Sequence, residues 1–369
     1  MKKVCFLNGH LILREHKTGV HYFHEYVTRD IVESKPDYDI RVAYFEKGDE
    51  HSKYLNNPEN TWIDKIKCVC NKPRIFSYCL PIENFFGRND LYFCDGLFPI
   101  TKYHSKKVCL VHDLMVKIYP QNYSLIKKIY LEWFFKKLPR ADAVVCVSEN
   151  TKNDVIKYYH VDPKKITVCY NGVDDHSITY PEHPENLKIN EEDKFFLYIG
   201  DMRKNKNLKN TIRGFLDFCD KNPKSTTKFY LAGKQNDEYL QVLDIVNKSR
   251  YKDRIKFLGY ISGHDRDYLY AHTEAVILLS AYEGFGMPII EGMQRMKPVI
   301  TSNCSSMKEV GEGAAILADP FDINEISGAM TKVDTGDYTI DKSAYQEKLR
   351  KYSFENVAGI INGVISGLL

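Results

Sequence analysis

Apolar runs and helical patterns alternate along the whole chain. In the first half the runs are KKVCFL, IRVAYF, IKCVC, LYFC, KVCLV, DAVVCV and ITVCY; in the second they are FFLYI, KFYLA, IKFLG, AVILLS, PVITS and AAIL. Most are continuously apolar and rich in β-branched or aromatic residues, the pattern of strands covered on both faces. Strand and helix alternating over this length predict parallel, doubly wound α/β sheets, and the series occurs twice. Between the two lies DDHSITYPEHPENLKINEEDK, polar, without a period and holding two prolines, which reads as a linker. The expected division is a Rossmann-like domain at 1–174, a linker at 175–194, a second Rossmann-like domain at 195–345 and a final segment at 346–369. That last segment carries SFENVAGIINGVISGLL, a helix with Ser353 as N-cap, expected to pack back on the first domain.

Composition narrows the class. A chain of 369 residues suits about two domains, and 43% apolar with 27% charged residues is globular. With 52 basic against 49 acidic residues the net charge of +3 leaves no nucleic-acid footprint. Ten cysteines stand singly with no C-x-x-C pair, as buried reduced thiols of a cytoplasmic protein would. Cys68-Val69-Cys70 fits period-two placement on a strand better than metal chelation. The start MKKVCFLNGH has too short an apolar run for a signal peptide, and no stretch reaches the roughly 20 apolar residues of a membrane span. Gly311-Glu312-Gly313 follows no strand and lacks a third glycine, which weakens a dehydrogenase reading.

The chemistry concentrates in SAYEGFGMPIIEGMQ, residues 280–294. A strand ends there in a turn; Gly284 and Gly286 let a ligand approach backbone N–H groups, and Pro288 suits a first helical turn. Glu291 is expected in or near that first turn. A helix start beside a bare-backbone turn favours an anion such as a diphosphate. An acidic helix start of purely structural meaning explains either glutamate alone, but not both together with the glycine turn. A basic cluster, YIGDMRKNKNLKN, follows an earlier strand end; Lys204 and Lys209 read as a solvated charge run, whereas Arg203 and Lys206 follow a strand opening towards a cleft.

YEGFGMPIIEGM, continuing into KPVITSNCSSMKEVGEGAAILADP, resembles the donor motif of glycosyltransferase family 4, retaining enzymes of the GT-B fold with two Rossmann-like domains facing a central cleft. The resemblance implies that Glu283 contacts the donor sugar, that Glu291 holds the ribose hydroxyls, and that Gly284, Phe285, Gly286 and Met287 offer backbone donors. It implies that Gly200 opens the segment delivering Arg203 and Lys206 to the diphosphate, although the usual G-x-x-x-x-R-K-N is here G-x-x-R-x-x-K, which leaves Lys206 the firmer assignment. The turn Gly259-Tyr260-Ile261 would line the nucleobase. In the amino-terminal half, HKTGVHYFHEYV is similar to the family's glycine loop, with Gly19 near a donor phosphate. VHDLMVKIYPQNYS matches the strand-end His-Asp pair, with His112 bonding the donor sugar or diphosphate.

These matches imply a retaining transfer from a nucleotide diphosphate sugar to a glycan or lipid-linked glycan, with neither cofactor nor metal. GDP-mannose is the first choice of donor, with a UDP-sugar as the alternative. A nucleotide-sugar epimerase or a non-catalytic sugar-nucleotide binder are the rival readings. Two D-x-D patterns could chelate a metal, but Asp37-Tyr38-Asp39 reads as a solvated loop and Asp265-Arg266-Asp267 as a helix cap region. SLIKKIYLEWFFKKLPR, residues 124–140, reads as an ordinary helix with its aromatics in the core; the alternative is a basic, aromatic surface seated peripherally on a membrane.

Overall fold

The computed structural model describes residues 1–13, 19–45, 62, 67–71, 80–173, 183, 187 and 189–369. All thirteen apolar runs are strands, and every pairing among them is parallel. The chain divides into two compact units. One comprises Met1–Lys117, Tyr123–Gly172 and Tyr352–Leu369; the other comprises Ile118–Asn122 and Val173–Lys351. Most of the linker expected at 175–194 lies outside the described residues.

The first unit holds β1 (Lys2–Phe6), β2 (Tyr38–Phe45), β3 (Lys67–Asn71), β4 (Leu91–Asp95), β5 (Lys106–Val111), β6 (Ala143–Cys146) and β7 (Ile166–Val168). They lie in the order β3-β2-β1-β4-β5-β6-β7, so the winding reverses between β1 and β4. Cys68 and Cys70 lie on β3, paired alongside Val42 and Tyr44 of β2. Asp37-Tyr38-Asp39 is not the loop expected, since β2 begins at Tyr38 and pairs at once with Lys2. The Tyr38 hydroxyl donates to Asn362 Oδ1 at 2.7 Å. Asn362 belongs to the last helix, Phe354–Ser366, capped by Ser353 accepting from Asn356 N–H. That helix packs on Gly19–Glu33, where Phe354 stacks on Tyr26 with ring centroids 4.8 Å apart.

The second unit holds β8 (Phe195–Ile199), β9 (Lys228–Ala232), β10 (Ile255–Gly259), β11 (Ala275–Leu278), β12 (Val299–Ser302) and β13 (Ile316–Ala318). Their order is β10-β9-β8-β11-β12-β13, with the reversal between β8 and β11. Side chains of the central strands are buried on both faces, which is why these segments read as continuous apolar runs. Cys5, Cys94, Cys109, Cys146, Cys169 and Cys219 are buried free thiols; burial pushes Cys5 up to about 12, beyond ordinary thiolate chemistry. Among the described residues no helix is long and apolar enough to cross a membrane.

Candidate active site

Open α/β sheets take ligands beyond the strand ends where winding reverses. In the second unit that point lies between β8 and β11, and the expected donor residues cluster there. Gly200 follows β8, Gly233 follows β9 and Gly259 ends β10. The three strand ends are tied together by Gly200 N–H to Ala232 O at 2.9 Å and Gly233 N–H to Gly259 O at 2.7 Å. A Cβ on Gly233 would lie 2.0 Å from the Gly200 carbonyl oxygen, so these backbones meet only without a side chain. Gly259, with φ of 70°, faces open space, and Tyr260 beside it is 77% exposed.

Lys206 ends the short 3-10 turn Lys204–Lys206, and Asn207 (φ 55°) turns the chain into the helix Leu208–Lys221. Asn207 holds this left-handed conformation through its amide, which donates to Leu279 O at 3.1 Å and Pro320 O at 2.6 Å. The buried Asn205 amide donates to Tyr282 O at 3.2 Å, and Ala281 N–H donates back to Asn205 O at 2.8 Å. This lattice brings Lys206 Nζ to Glu283 Oε1 at 2.7 Å, the same oxygen that accepts the Ser280 hydroxyl at 2.6 Å. The glutamate is buried to 8% exposure, so its charge is carried by these two donors rather than by water.

The Glu283–Gly286 turn is held from below by a serine pair absent from the sequence reading. Ser305 Oγ donates to Glu283 O at 3.0 Å, and Ser306 Oγ bridges Glu283 O and Phe285 O at 3.0 and 3.1 Å. Gly286 takes φ of 102° and starts the helix Met287–Gln294, with Pro288 in its first turn. Glu291 falls near the first turn, as expected. It is the fifth residue of that helix and lies in the second turn, because the helix begins at Met287. Its carboxylate accepts from the buried Tyr270 hydroxyl, while Arg295 donates to Asp267 Oδ1 at 2.7 Å and lies over the Tyr270 ring. Asp265 is a capping-box residue with Ser262, as its sequence position suggested. Arg203 is not brought to Glu283: its guanidinium pairs with Asp201 at 3.3 Å.

In the first unit, His112 follows β5 and Gly19 starts the helix Gly19–Glu33; residues 14–18 before it lie outside the description. His112 Nε2 lies 3.4 Å from His24 Nε2 and 3.6 Å from Asp95 Oδ2. His24, Asp95 and His112 are the group among the described residues whose ligand atoms converge, within 4.8 Å of one another, in a way a metal ion could use. The helix Leu125–Phe135 buries Phe134 and Phe135 but leaves Leu125, Ile126 and Ile129 more than 60% exposed.

Residues 179–353 match the model for glycosyl transferases group 1, and residues 89–177 that for Glycosyltransferase Family 4. The chain is a family 4 glycosyltransferase. This family 4 chain is 28% identical over 252 residues to O-antigen chain mannosyltransferase RfbU of Salmonella typhimurium, covering 68% of this chain and 67% of that one. It is 29% identical over 232 residues to O-antigen chain mannosyltransferase B of Escherichia coli, covering 60% and 59%. Its fold is similar to that of Anabaena HepE in complex with UDP and glucose, with a TM-score of 0.71 at 18% identity over 100% of both chains. Sucrose-phosphate synthase from Thermosynechococcus elongatus superposes equally, with a TM-score of 0.71 at 16% identity over 100% and 99%. The architecture is GT-B.

Proposed function

We propose that this glycosyltransferase moves mannose from GDP-mannose to a hydroxyl of a glycan or lipid-linked glycan in polysaccharide assembly, with retention and without a metal ion. The observation that carries the reading is the Lys206–Glu283 contact of 2.7 Å at the reversal point of the second sheet, beside a turn of bare backbone. Lys206 exchanges Glu283 for the donor diphosphate and balances charge on the leaving group, and Arg203 exchanges Asp201 for the same anion. Glu283 then faces the sugar, where a carboxylate stabilises positive charge developing at the anomeric carbon. Glu291, steadied by Tyr270, accepts the ribose hydroxyls. The leaving phosphate oxygen takes the proton of the attacking acceptor hydroxyl on the same face, so no protein nucleophile is needed. Mannose is favoured because the O-antigen chain relatives are mannosyltransferases by name.

The test is transfer from GDP-mannose, UDP-glucose and UDP-N-acetylglucosamine in the presence of EDTA, with the product anomer read by proton NMR. Retained mannose with undiminished rate is expected. An inverted anomer, or activity lost to EDTA and restored by Mn²⁺, refutes the mechanism; preference for a UDP-sugar refutes the donor choice.

A further inference from the structure

The first sheet has its own reversal point, between β1 and β4, and three side chains meet there, of which the family resemblance accounts only for His112. Asp95 ends β4. Its Oδ2 accepts from His24 Nε2 at 2.8 Å, and His112 Nε2 lies 3.6 Å from the same oxygen. His24 is 1% exposed, and its other ring nitrogen is engaged by the Asn8 amide from the turn after β1. The second carboxylate oxygen, Oδ1, has no partner among the described residues, yet it is not sealed off, and the side chain is 17% exposed. Asp95, Gly96, His112 and Asp113 line a pocket whose apolar wall includes Val116 and Tyr123.

The pocket thus offers one fixed, half-used carboxylate beside an imidazole. Burial alone would raise the Asp95 carboxyl, but the two imidazoles facing it hold it well below the usual carboxylate range. A carboxylate held so low accepts hydrogen bonds but does not take the proton, which argues against general-base work. The same fixed negative charge disfavours a phosphate at this point, whereas a hydroxyl is a donor that Oδ1 can accept.

We propose that Asp95 is a sugar-binding residue, taking a substrate hydroxyl through Oδ1 next to His112, with His24 as the positioning residue that pins Oδ2. The proposal rests on the transferase reading for the ligand being a sugar, and it places His112 on sugar rather than on diphosphate. Such a hydroxyl could come from the donor's sugar or from the acceptor.

Asp95→Asn keeps the shape and the acceptor for His24 while removing the charge. Calorimetry compares a nucleotide sugar with its free nucleoside diphosphate, using whichever of GDP-mannose or UDP-glucose the wild type binds, so a wrong donor choice shows in the wild type alone. Loss of a hydrogen bond to a charged group predicts about ten- to hundredfold weaker binding of the nucleotide sugar with the nucleoside diphosphate unchanged, if the hydroxyl is the donor's. If it is the acceptor's, both affinities hold and the KM for acceptor glycan rises by about the same factor. His24→Gln, which can still donate to Oδ2, should keep most of this affinity, and His24→Leu should lose it. Circular dichroism confirms folding, and Asp95→Glu replaces Asp95→Asn should that variant unfold. Asp95→Asn with wild-type affinity for donor and wild-type acceptor KM overturns the proposal. So does stoichiometric Zn²⁺ uptake by the wild-type protein that Asp95→Asn abolishes, since the three converging atoms would then be a metal site.

Discussion

Replacing Glu283 by glutamine removes one charge and leaves the shape. In the resting protein that charge holds Lys206 at 2.7 Å and the Ser280 hydroxyl at 2.6 Å, with side-chain exposures of 19% for Lys206 and 11% for Glu283. Coulomb attraction at that distance with an effective dielectric of about 20 is roughly 6 kcal/mol. Desolvation and side-chain ordering offset most of it, and hydrogen bonds to charged groups net about 1.5–3 kcal/mol. Glu283→Gln should therefore lower the melting temperature by roughly 3–12 °C, at about 2–4 °C per kcal/mol. On the role proposed for Glu283, turnover should suffer more, since the lost charge would act where positive charge develops; losing a preorganised electrostatic group costs about 10²–10³ in kcat. Affinity for nucleoside diphosphate should hold or improve, since Lys206 no longer has a competing carboxylate. Glu291→Ala should instead weaken donor and nucleoside diphosphate alike, by about ten- to hundredfold. Calorimetry with GDP beside initial rates reads both variants. Abolished GDP binding in Glu283→Gln, with binding intact in Glu291→Ala, would reverse the two roles and refute the reasoning.

Three further outcomes are expected. Burial raises the Glu238 carboxyl to about 6 from 4.5, so the folded state holds this proton more tightly than the unfolded state. Its contribution is present below 4.5 and lost as pH rises through about 6, worth about 2 kcal/mol at roughly 1.4 kcal/mol per pH unit; Glu238→Gln should gain that stability at pH 7.5 in urea unfolding, and an unchanged midpoint would contradict it. Gly233→Ala, with its Cβ 2.0 Å from the Gly200 carbonyl, should cost more than about 3 kcal/mol, whereas Gly259→Ala at φ 70° with open space should cost about 1–2 kcal/mol; equal melting temperatures for the two would refute the close approach. The exposed apolar residues Leu125, Ile126 and Ile129 flanked by Lys127 and Lys128 should seat on anionic phosphatidylglycerol vesicles, and changing all three to serine should abolish co-sedimentation; wild-type binding by the triple variant would exclude this face.

Every strand was legible because parallel strands covered on both faces leave no polar positions to confuse the period. The turn and helix start of SAYEGFGMPIIEGMQ were legible for a related reason: glycine turns and a proline at a helix start are local signals. What escaped was long-range pairing. Nothing near Lys206 in sequence announces Glu283, and nothing in the SNCSSM run announces that Ser305 and Ser306 hold its turn. Tyr270 reads as a core aromatic until its hydroxyl meets Glu291. Glu291 sits directly after the first turn of Met287–Gln294, near where its spacing from Pro288 puts it. Asp95 and His24 looked like the end of one apolar run and one face of a helix, and only the strand order joins them.

The return of Tyr352–Leu369 to the first unit makes that unit discontinuous in sequence, with Val173–Lys351 inserted within it. On the ribosome, therefore, the helix Gly19–Glu33 emerges early but gains its cover, Phe354–Ser366, only after Val173–Lys351 has been made. Nearly all of the second unit can fold while its predecessor still waits with an apolar helix face uncovered. Losing Phe354–Ser366 would thus strike the unit made earlier, and a chaperone bound to Gly19–Glu33 in the nascent chain should stay until that helix emerges.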